Sequence, residues 1–307
     1  MFTAHRGRLT LLSAVAVGAV VALAGCASED PLAEPSSSAA DSTIVIGSQA
    51  YYSNEIIAEI YSQALEAGGF TVDRQFQIGQ REVYLPDIEA GKIDVFPEYT
   101  GSLLQALDKA AVGGSSDVTY DELTAALPDN LRVLDMADAS DQNSWTVTEE
   151  FATTHNLTDI ASLTQVTEPI TVGGNSELET RPYGPTALKE KYGISIAGFV
   201  PVEDSGGPLT VKALVDGDIQ LANIYTADPN IKTNNLVALA DPDGLFFPDN
   251  VVPVVSQKVD DTAAAILNKV SAALTANVLV DLNSQSVNDQ KSASDIATAW
   301  LEQANLF

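Results

Sequence analysis

One arrangement of sequence signals occurs twice in this chain, at residues 87–100 and again at residues 213–226. Each copy contains a helix end, a glycine, a strand that opens on isoleucine, and a Tyr-Thr pair eight residues after the glycine. The two tyrosines are Tyr99 and Tyr225. Two unrelated α/β units can share the glycine, because helices commonly end at this residue. The identical spacing to Tyr-Thr instead favours two equivalent lobes in one chain.

The residues before the first copy predict a strand, a helix and a second strand. Residues 44–46 form a short β-branched run that is typical of a buried parallel strand. A helix is expected from about Ser53, which suits an N-cap, to a stop at Gly68. Residues 71–78 then alternate like a strand. This order predicts an α/β fold built on parallel sheets with helices on their faces.

The repeated tyrosines predict a binding cleft. In open α/β sheets, ligands bind in the crevice at the carboxyl ends of the strands. Tyr99 and Tyr225 each follow a strand, one in each lobe, so we expect them to face a shared cleft. A tyrosine from each lobe forms a clamp around a ligand and supplies no catalytic group. The pattern therefore favours a binding protein.

The N-terminal residues indicate export. Arg6 and Arg8 precede residues 9–24, which carry no charge and are too few and wrongly flanked for a spanning helix. The run ends in Leu-Ala-Gly followed by Cys26, which resembles the lipobox of bacterial lipoproteins. That resemblance implies a signal peptide at 1–25 and a diacylglycerol anchor on Cys26. The alternative is an unmodified export signal that happens to contain a cysteine.

The composition limits the partners of the exported body. Residues 26–42 are rich in Ser, Ala, Pro and acids, and we expect them to form a flexible tether before a folded body that begins near Thr43. The chain has 42 acidic and 15 basic residues, a net charge of −27, which opposes binding to nucleic acid or anionic lipid. A single cysteine forms no disulfide framework. We therefore expect contact with the membrane through the lipid anchor only.

A hydrolase is the alternative from another class. Residues 204–208 read Asp-Ser-Gly-Gly-Pro, like the nucleophile segment of trypsin-like serine proteases. The exported part has one histidine, His155, without the sequence that surrounds the catalytic histidine of those enzymes, and a triad is recognised by its whole constellation. No zinc spacing and no phosphate loop occurs in the sequence. A carboxylate pair is not excluded by spacing, but none is singled out. We predict no catalytic residue, no metal and no cofactor.

The chain resembles the substrate-binding lipoproteins of glycine betaine/choline (quaternary amine) ABC importers from about Thr43 to Phe307. The segments that carry the resemblance are Ile-Gly-Ser-Gln at 46–49, Gly-Lys-Ile-Asp-Val-Phe-Pro-Glu-Tyr-Thr-Gly at 91–101, Asn-Ser-Trp at 143–145, Tyr-Thr-Ala-Asp at 225–228 and Phe-Phe-Pro-Asp-Asn-Val-Val-Pro-Val at 246–254.

The resemblance implies the type II periplasmic-binding-protein fold, an α/β architecture of two lobes with a hinge and an interlobe cleft. It places lobe I at 43–139 plus 250–307 and lobe II at 140–249. Two late helices, at about 262–274 and 292–304, are expected to pack back on lobe I.

In this family an aromatic box holds the quaternary ammonium group, which cannot donate a strong hydrogen bond and is attracted to aromatic faces. By position in the matching motifs, the box residues are Tyr99, Trp145 and Tyr225. Trp145 stands where many relatives have tyrosine. Phe96 is expected only to pack below the site.

The resemblance also implies polar ligand contacts. Gln49, Thr100, Asn143 and Arg181 match such positions, and Arg181 is a candidate to grip a carboxylate through two hydrogen bonds, with a surface role as its alternative. Where many relatives read Phe-Pro-Pro-Tyr-Asn, this chain has Asp249 in place of the tyrosine. If Asp249 lies in the cleft it favours a cation such as choline, or a different ligand; if the local alignment slips, it is simply solvated.

The function implied is that of an extracytoplasmic lipoprotein, a monomer that binds glycine betaine or choline-type osmoprotectants. It would deliver them to an ABC permease and its ATPase subunits. The first alternative is a receptor of the same fold for an amino acid or another osmolyte. The second is a secreted, lipid-anchored hydrolase.

Overall fold

Ten strands and eleven α-helices form two five-stranded sheets with helices packed on them, in a computed structural model that describes residues 43–307. The predictions for residues 1–42, including Cys26, lie outside the described residues. The strands are β1 Thr43–Gly47, β2 Thr71–Gln75, β3 Val95–Tyr99, β4 Leu131–Val133, β5 Asn143–Thr148, β6 Ile170–Gly174, β7 Ile196–Pro201, β8 Leu221–Tyr225, β9 Leu236–Ala238 and β10 Val251–Ser256.

The first sheet has the order β2-β1-β3-β10-β4 and the second has the order β7-β6-β8-β5-β9. The helices are α1 Tyr52–Ala67, α2 Arg81–Glu89, α3 Thr100–Leu107, α4 Ser116–Ala126, α5 Glu149–His155, α6 Pro185–Tyr192, α7 Pro208–Val215, α8 Asn230–Thr233, α9 Asp261–Ala273, α10 Ala276–Val287 and α11 Ala293–Ala304. The prediction of an α/β fold is confirmed.

The first strand-helix-strand unit forms as predicted, with β1 and β2 parallel. Its boundaries differ in detail. The N-cap of α1 is Tyr51, whose side chain makes no capping bond, so the prediction of Ser53 as N-cap is wrong. Ser53 lies one residue inside the helix and is fully buried. The helix ends at Gly68, and the following glycine has a φ of 90°, a left-handed conformation that favours glycine.

Each sheet contains antiparallel strands, so the expectation of wholly parallel sheets is wrong. β10 runs antiparallel to β3, and β5 runs antiparallel to β8. The reason is the direction from which the chain arrives. Both β5 and β10 begin just after the chain has crossed from the other sheet, at the edge where β3 and β8 end. A strand that enters a sheet at that edge runs opposite to its parallel strands.

The two crossing segments, 139–142 and 248–250, lie side by side. Ser140 and Asn250 form an antiparallel bridge. The amide of Val251 donates to the carbonyl of Ala139 at 2.9 Å, and the amide of Asp141 donates to the carbonyl of Asp249 at 3.2 Å. The crossings are therefore a two-stranded antiparallel ribbon between the sheets.

The C-terminal helices pack on the first sheet's side of the molecule. Ile266 of α9 and Trp300 of α11 belong to the same buried cluster as Ile56 and Ile60 of α1. The cap residues of α9 and α11, Asp260 and Ser292, each accept a backbone N–H at the start of their helix. Helix α10, which lies between these two helices, was not predicted from the sequence. The exact lobe boundaries stay a prediction.

Within residues 43–307, no single helix is both long and apolar enough to cross a membrane. Helices α9 and α10 pass that test of length and composition only as a pair, and the pair is bent by 89°.

Gly101, in the first turn of α3, lies against the second crossing and tolerates no side chain. A Cβ there would meet Cβ of Phe247 at 2.6 Å and the carbonyl oxygen of Pro248 at 2.7 Å. Alanine improves helix propensity by about 1 kcal/mol, but overpacking of this kind costs about 1–3 kcal/mol. We therefore expect Gly101→Ala to lower the free energy of unfolding, measured by urea titration. Gly198→Ala is the matched control, because its nearest neighbour, Thr171, would be 4.0 Å away. Equal stability of the two variants would contradict this account.

Candidate functional site

A narrow cavity lies where the two sheets face each other. Its walls approach so closely that there is room for about one water molecule. Six of its ten lining residues were predicted as site residues, namely Gln49, Tyr99, Asn143, Arg181, Tyr225 and Asp249. Four were missed by the sequence analysis, namely Tyr51, Arg81, Ser102 and Asp141.

The repeated tyrosines both reach this cavity. Tyr99 is the last residue of β3 and pairs with Val251, the first residue of β10. Tyr225 is the last residue of β8 and pairs with Asn143, the first residue of β5. The two tyrosines therefore occupy equivalent positions in the two sheets, at the edge where the crossings enter.

A third tyrosine completes the aromatic surface of the cavity. The ring centroid of Tyr51 lies 4.8 Å from that of Tyr225, with the planes tilted by 59°. Burial raises the pKa of Tyr225 to about 12 and raises that of Tyr99 well above its usual range, so both phenols stay protonated. Neutral, desolvated aromatic faces are suited to an organic cation.

Trp145 does not line the cavity. It is fully buried in the core of the second sheet, 6.4 Å between ring centroids from Phe246. It lies on the same face of β5 as Asn143 but two residues further along, about 6–7 Å from Asn143 in the direction of the strand. Trp145 is therefore not a wall of the cavity in this structure. Phe96 is also buried, stacked on Tyr84 at 4.1 Å, and does not line the cavity.

Thr100 holds the second crossing and does not reach the cavity lining. Its Oγ1 donates to the carbonyl of Pro248 at 2.9 Å and accepts from the amide of Asn250 at 3.1 Å. Gln49 lies in the lining, and its backbone amide donates to Oδ1 of Asn54 at 3.0 Å. Thr100 is therefore a positioning residue for the crossing in this structure.

Arg181 extends from the second lobe to α2 of the first. Its Nη2 donates to Oε2 of Glu82 at 3.2 Å and its Nε donates to Oε1 at 3.3 Å. Further hydrogen bonds reach Gln80 and Tyr183. The guanidinium that was a candidate to grip a ligand carboxylate is thus already engaged by Glu82.

Arg81, which the sequence analysis missed, is engaged in the same way. Its Nε and Nη2 donate to the two carboxylate oxygens of Glu98 at 2.9 and 2.8 Å. Glu98 is fully buried and also accepts from the hydroxyl of Tyr84 at 2.7 Å and from the amide of Tyr99 at 2.9 Å. This buried pair fixes the end of β3, where Tyr99 enters the cavity.

Two aspartates line the cavity and form no salt bridge with a basic side chain among residues 43–307. Asp141 accepts from the hydroxyl of Tyr51 at 3.0 Å and from the amide of Ala227 at 2.9 Å. Asp249 accepts from the amide of Ser102 at 2.6 Å and from its Oγ at 2.5 Å. Burial raises the pKa of Asp141 to about 7 and that of Asp249 to about 6. Of the alternatives for Asp249, the structure places it in the cleft.

Other contacts also join the two halves. Nε2 of Gln80 donates to Oγ of Ser205 at 2.9 Å, and Nδ2 of Asn143 donates to Oγ of Ser102 at 3.2 Å. Ser205 thus lies at the interface between the halves.

His155 lies apart from Ser205, beside Phe151, with its Nδ1 atom 3.8 Å from Oε2 of Glu168. The described residues contain no group of three or more His, Cys, Asp or Glu side chains arranged to hold a metal ion.

One of the missed residues had a signal in the sequence. Tyr51 comes four residues after the first strand, at the sheet edge where ligands bind in α/β folds, although it lacks the Gly-to-Tyr-Thr spacing that identified Tyr99 and Tyr225. Asp141 and Ser102 had none, because they reach the cavity only through the pairing of the crossings and the start of α3. Arg81 precedes its partner Glu98 by 17 residues, a separation that no local pattern connects.

Comparison with known proteins gives consistent matches. The family model described as OpuAC, the substrate binding domain of an ABC-type glycine betaine transport system, matches residues 42–303. The glycine betaine-binding protein YehZ of Escherichia coli strain K12 is 24% identical over 278 residues, which cover 86% of this chain and 91% of that protein.

Solved structures agree on the fold. A crystal structure of a glycine betaine/carnitine/choline ABC transporter protein has a TM-score of 0.70 at 18% identity, covering 86% of this chain and 99% of that one. A choline binding protein of an ABC transporter, in complex with choline, has a TM-score of 0.63 at 15% identity, covering 89% and 91%. These likenesses confirm the predicted periplasmic-binding-protein fold.

The raised pKa of Asp141 predicts a pH-dependent stability. Between about pH 4 and pH 7 the Asp141 carboxyl is protonated in the folded chain and ionised in the unfolded chain. The contribution of Asp141 to the free energy of unfolding therefore falls as pH rises through that window. We expect Asp141→Asn to gain on the order of 3 kcal/mol relative to the unsubstituted protein between pH 4.5 and pH 7.5. Urea unfolding without ligand measures this, with the exposed Asp218→Asn as control. An Asp141→Asn difference that is the same at both pH values would contradict it.

Proposed function

The chain belongs to the family of substrate-binding domains of ABC-type glycine betaine transport systems, and we propose that it captures a quaternary amine in the cavity between its sheets and delivers it to an ABC permease. It is a transporter component and not an enzyme. The hydrolase alternative is therefore rejected. The single observation that carries the proposal is the convergence of Tyr51, Tyr99 and Tyr225 on one desolvated cavity.

The aromatic residues support the choice of ligand. A trimethylammonium group has no strong hydrogen-bond donor, so water competes weakly for it and aromatic faces attract it through their quadrupole. Tyr99 comes from the first sheet and Tyr225 from the second, while Tyr51 stands between β1 and α1. In this proposal the box consists of these three tyrosines, without Trp145.

Closure around the ligand supports the role of a receptor. A ligand shifts a conformational equilibrium only by its differential affinity for the two states. Tyr99 and Ser102 lie on the first half and Tyr225 and Asn143 on the second, so a ligand among them contacts both halves only when they are together. The ribbon of 139–142 and 248–250 is the proposed hinge.

Location completes the proposal. We propose that residues 1–25 direct export and that Cys26 carries a lipid that keeps the protein on the outer side of the plasma membrane. The body acts as a monomer on the 26–42 tether. Because the tether keeps the body at the membrane, its local concentration near the permease is higher than it would be for a freely diffusing protein. The permease and its ATPase subunits are the proposed partners.

A second candidate ligand follows from Arg81 and Arg181, which line the cavity. An amino acid carboxylate is the natural partner of such groups. Both guanidinium groups are paired with glutamates in this structure, which favours the quaternary amine. Proline and glutamate therefore belong in the ligand panel as alternatives.

Removal of the tyrosine faces tests the proposed box. We expect Tyr99→Ala and Tyr225→Ala each to weaken binding of the preferred quaternary amine by about 5- to 30-fold, as loss of a desolvated cation–π contact of about 1–2 kcal/mol. Isothermal titration calorimetry gives the affinity, and a rise in melting temperature with ligand gives independent support.

Two controls accompany that experiment. Tyr192→Ala removes a tyrosine outside the cavity lining, and Trp145→Phe keeps an aromatic residue in the second core. Both are expected to bind like the unsubstituted protein. If Trp145→Phe loses affinity while Tyr99→Ala keeps it, the assignment of the box is wrong.

Substitution of Cys26 tests the anchor. In cells that process lipoproteins, we expect Cys26→Ser to lose incorporation of radiolabelled palmitate and to leave the membrane fraction, because the thiol is the attachment atom. Purified Cys26→Ser should bind ligand with unchanged affinity, since the cavity lies in the folded body. Palmitate incorporation that persists in Cys26→Ser would overturn the lipoprotein proposal.

A further inference from the structure

Asp141 and Asp249 oppose each other across the two crossings. The bridge between Ser140 and Asn250 and the hydrogen bond from the amide of Asp141 to the carbonyl of Asp249 set this register. Directly opposed residues of an antiparallel pair have Cβ atoms about 4.5–5.5 Å apart, and like charges there are destabilising. Both side chains line the same cavity. A cation in that cavity would be attracted by both carboxylates.

No basic side chain of the cavity forms an ion pair with these aspartates. The hydrogen-bond donors to Asp141 and Asp249 in residues 43–307 are hydroxyls and backbone amides. Arg81 is held by Glu98 and Arg181 by Glu82. The cavity therefore contains two carboxyl groups in excess of its paired charges. A ligand with a net positive charge is complementary to it.

Asn143 supplies a second, independent indication. Its side chain lines the cavity and is 5% exposed, and its Oδ1 has no hydrogen-bond partner within residues 43–307. The orientation of the amide follows from its neighbours. Oγ of Ser102 donates to Asp249, so it must accept from Nδ2 of Asn143, which leaves Oδ1 facing elsewhere. A buried acceptor without a donor costs about 1–3 kcal/mol, which a ligand hydroxyl would offset.

Resting on the proposed function, we propose that this cavity selects a quaternary ammonium alcohol, of which choline is the simplest, over a zwitterionic betaine. Asp141 and Asp249 form the cation subsite, and Oδ1 of Asn143 accepts the O–H of the alcohol. A betaine has the same ammonium group but no donor for Asn143. Its carboxylate would approach the two aspartates while both arginines are engaged by glutamates.

Protonation provides a signature of this subsite. Asp249 on the paired crossing, together with Tyr51, Tyr52, Tyr99, Tyr225 and Asp228, are the titratable groups that face Asp141.

Asp141 on the paired crossing, Arg81 and Glu98 are the charged or titratable groups that face Asp249. A bound cation favours the ionised aspartates, so its binding releases protons wherever they are partly protonated in the free protein. With pKa values raised to about 7 and 6, that range lies near neutrality. Affinity for a cation therefore rises with pH, and affinity for a zwitterion does not.

Calorimetric titration at pH 5.5 and pH 8.0 tests the proposal with three probes. Choline carries the cation and the hydroxyl, ethyltrimethylammonium carries the cation alone, and glycine betaine carries the cation and a carboxylate. We expect choline to bind at least about tenfold more tightly than betaine at pH 8.0, with ethyltrimethylammonium between them. Choline affinity should rise about tenfold from pH 5.5 to pH 8.0, and betaine affinity should not rise.

Variants assign the effect to residues. Asp249→Asn should lower choline affinity about tenfold and flatten its pH dependence. Asn143→Leu should remove the advantage of choline over ethyltrimethylammonium. Asp94→Asn is the control, because Asp94 is a buried aspartate outside the cavity lining, and its ratio of choline to betaine affinity should be unchanged. Melting temperatures establish that each variant is folded.

The outcomes separate the two proposals. If betaine binds as tightly as choline, or if choline affinity is independent of pH, the cation subsite is overturned while the proposed function stands. If no quaternary amine binds the folded protein, the proposed function is overturned and this inference with it. Tighter betaine binding by Asp249→Asn, together with weaker choline binding, would support the subsite directly.

Discussion

The antiparallel pairing of the two crossing segments is the constraint on which the rest of the structure depends. Backbone hydrogen bonds between Ala139 and Val251 and between Asp141 and Asp249 hold these segments side by side. Because each segment leads into a strand that starts at the cleft edge, the pairing makes β5 and β10 antiparallel to their neighbours. The same pairing sets Tyr99 opposite β10 and Tyr225 opposite β5, so both tyrosines reach one cavity.

The electrostatics of the cavity follow from this arrangement. Its basic residues are neutralised locally, with Arg81 held by the buried Glu98 and Arg181 by Glu82. Its two aspartates come from the crossings themselves and have only neutral donors. The aromatic walls and the acidic groups at the crossings are the basis of the proposed organic cation ligand, and they would connect binding to the segment proposed as the hinge. A cavity that binds a ligand carboxylate would instead present unpaired basic groups.

The sequence analysis was most successful where a local pattern carried the information. The repeat identified Tyr99 and Tyr225 because an α/β strand end is defined by neighbouring residues alone. It predicted Trp145 at the ligand, whereas in this structure Trp145 lies in the core of the second sheet, because sequence similarity at a position does not report how deeply its side chain is buried. The N-cap at Ser53 also differed, since tertiary packing buries that serine inside the helix.

The sequence by itself determined the α/β class and the first strand-helix-strand unit, because hydrophobic periodicity and glycine stops are local signals. It also singled out Asp249 as a departure from related proteins. Only the tertiary structure decided that Asp249 lies in the cavity and that Asp141 stands opposite it. These two residues are more than one hundred positions apart in the chain, and their proximity results from backbone pairing between crossings that no periodicity of either segment encodes.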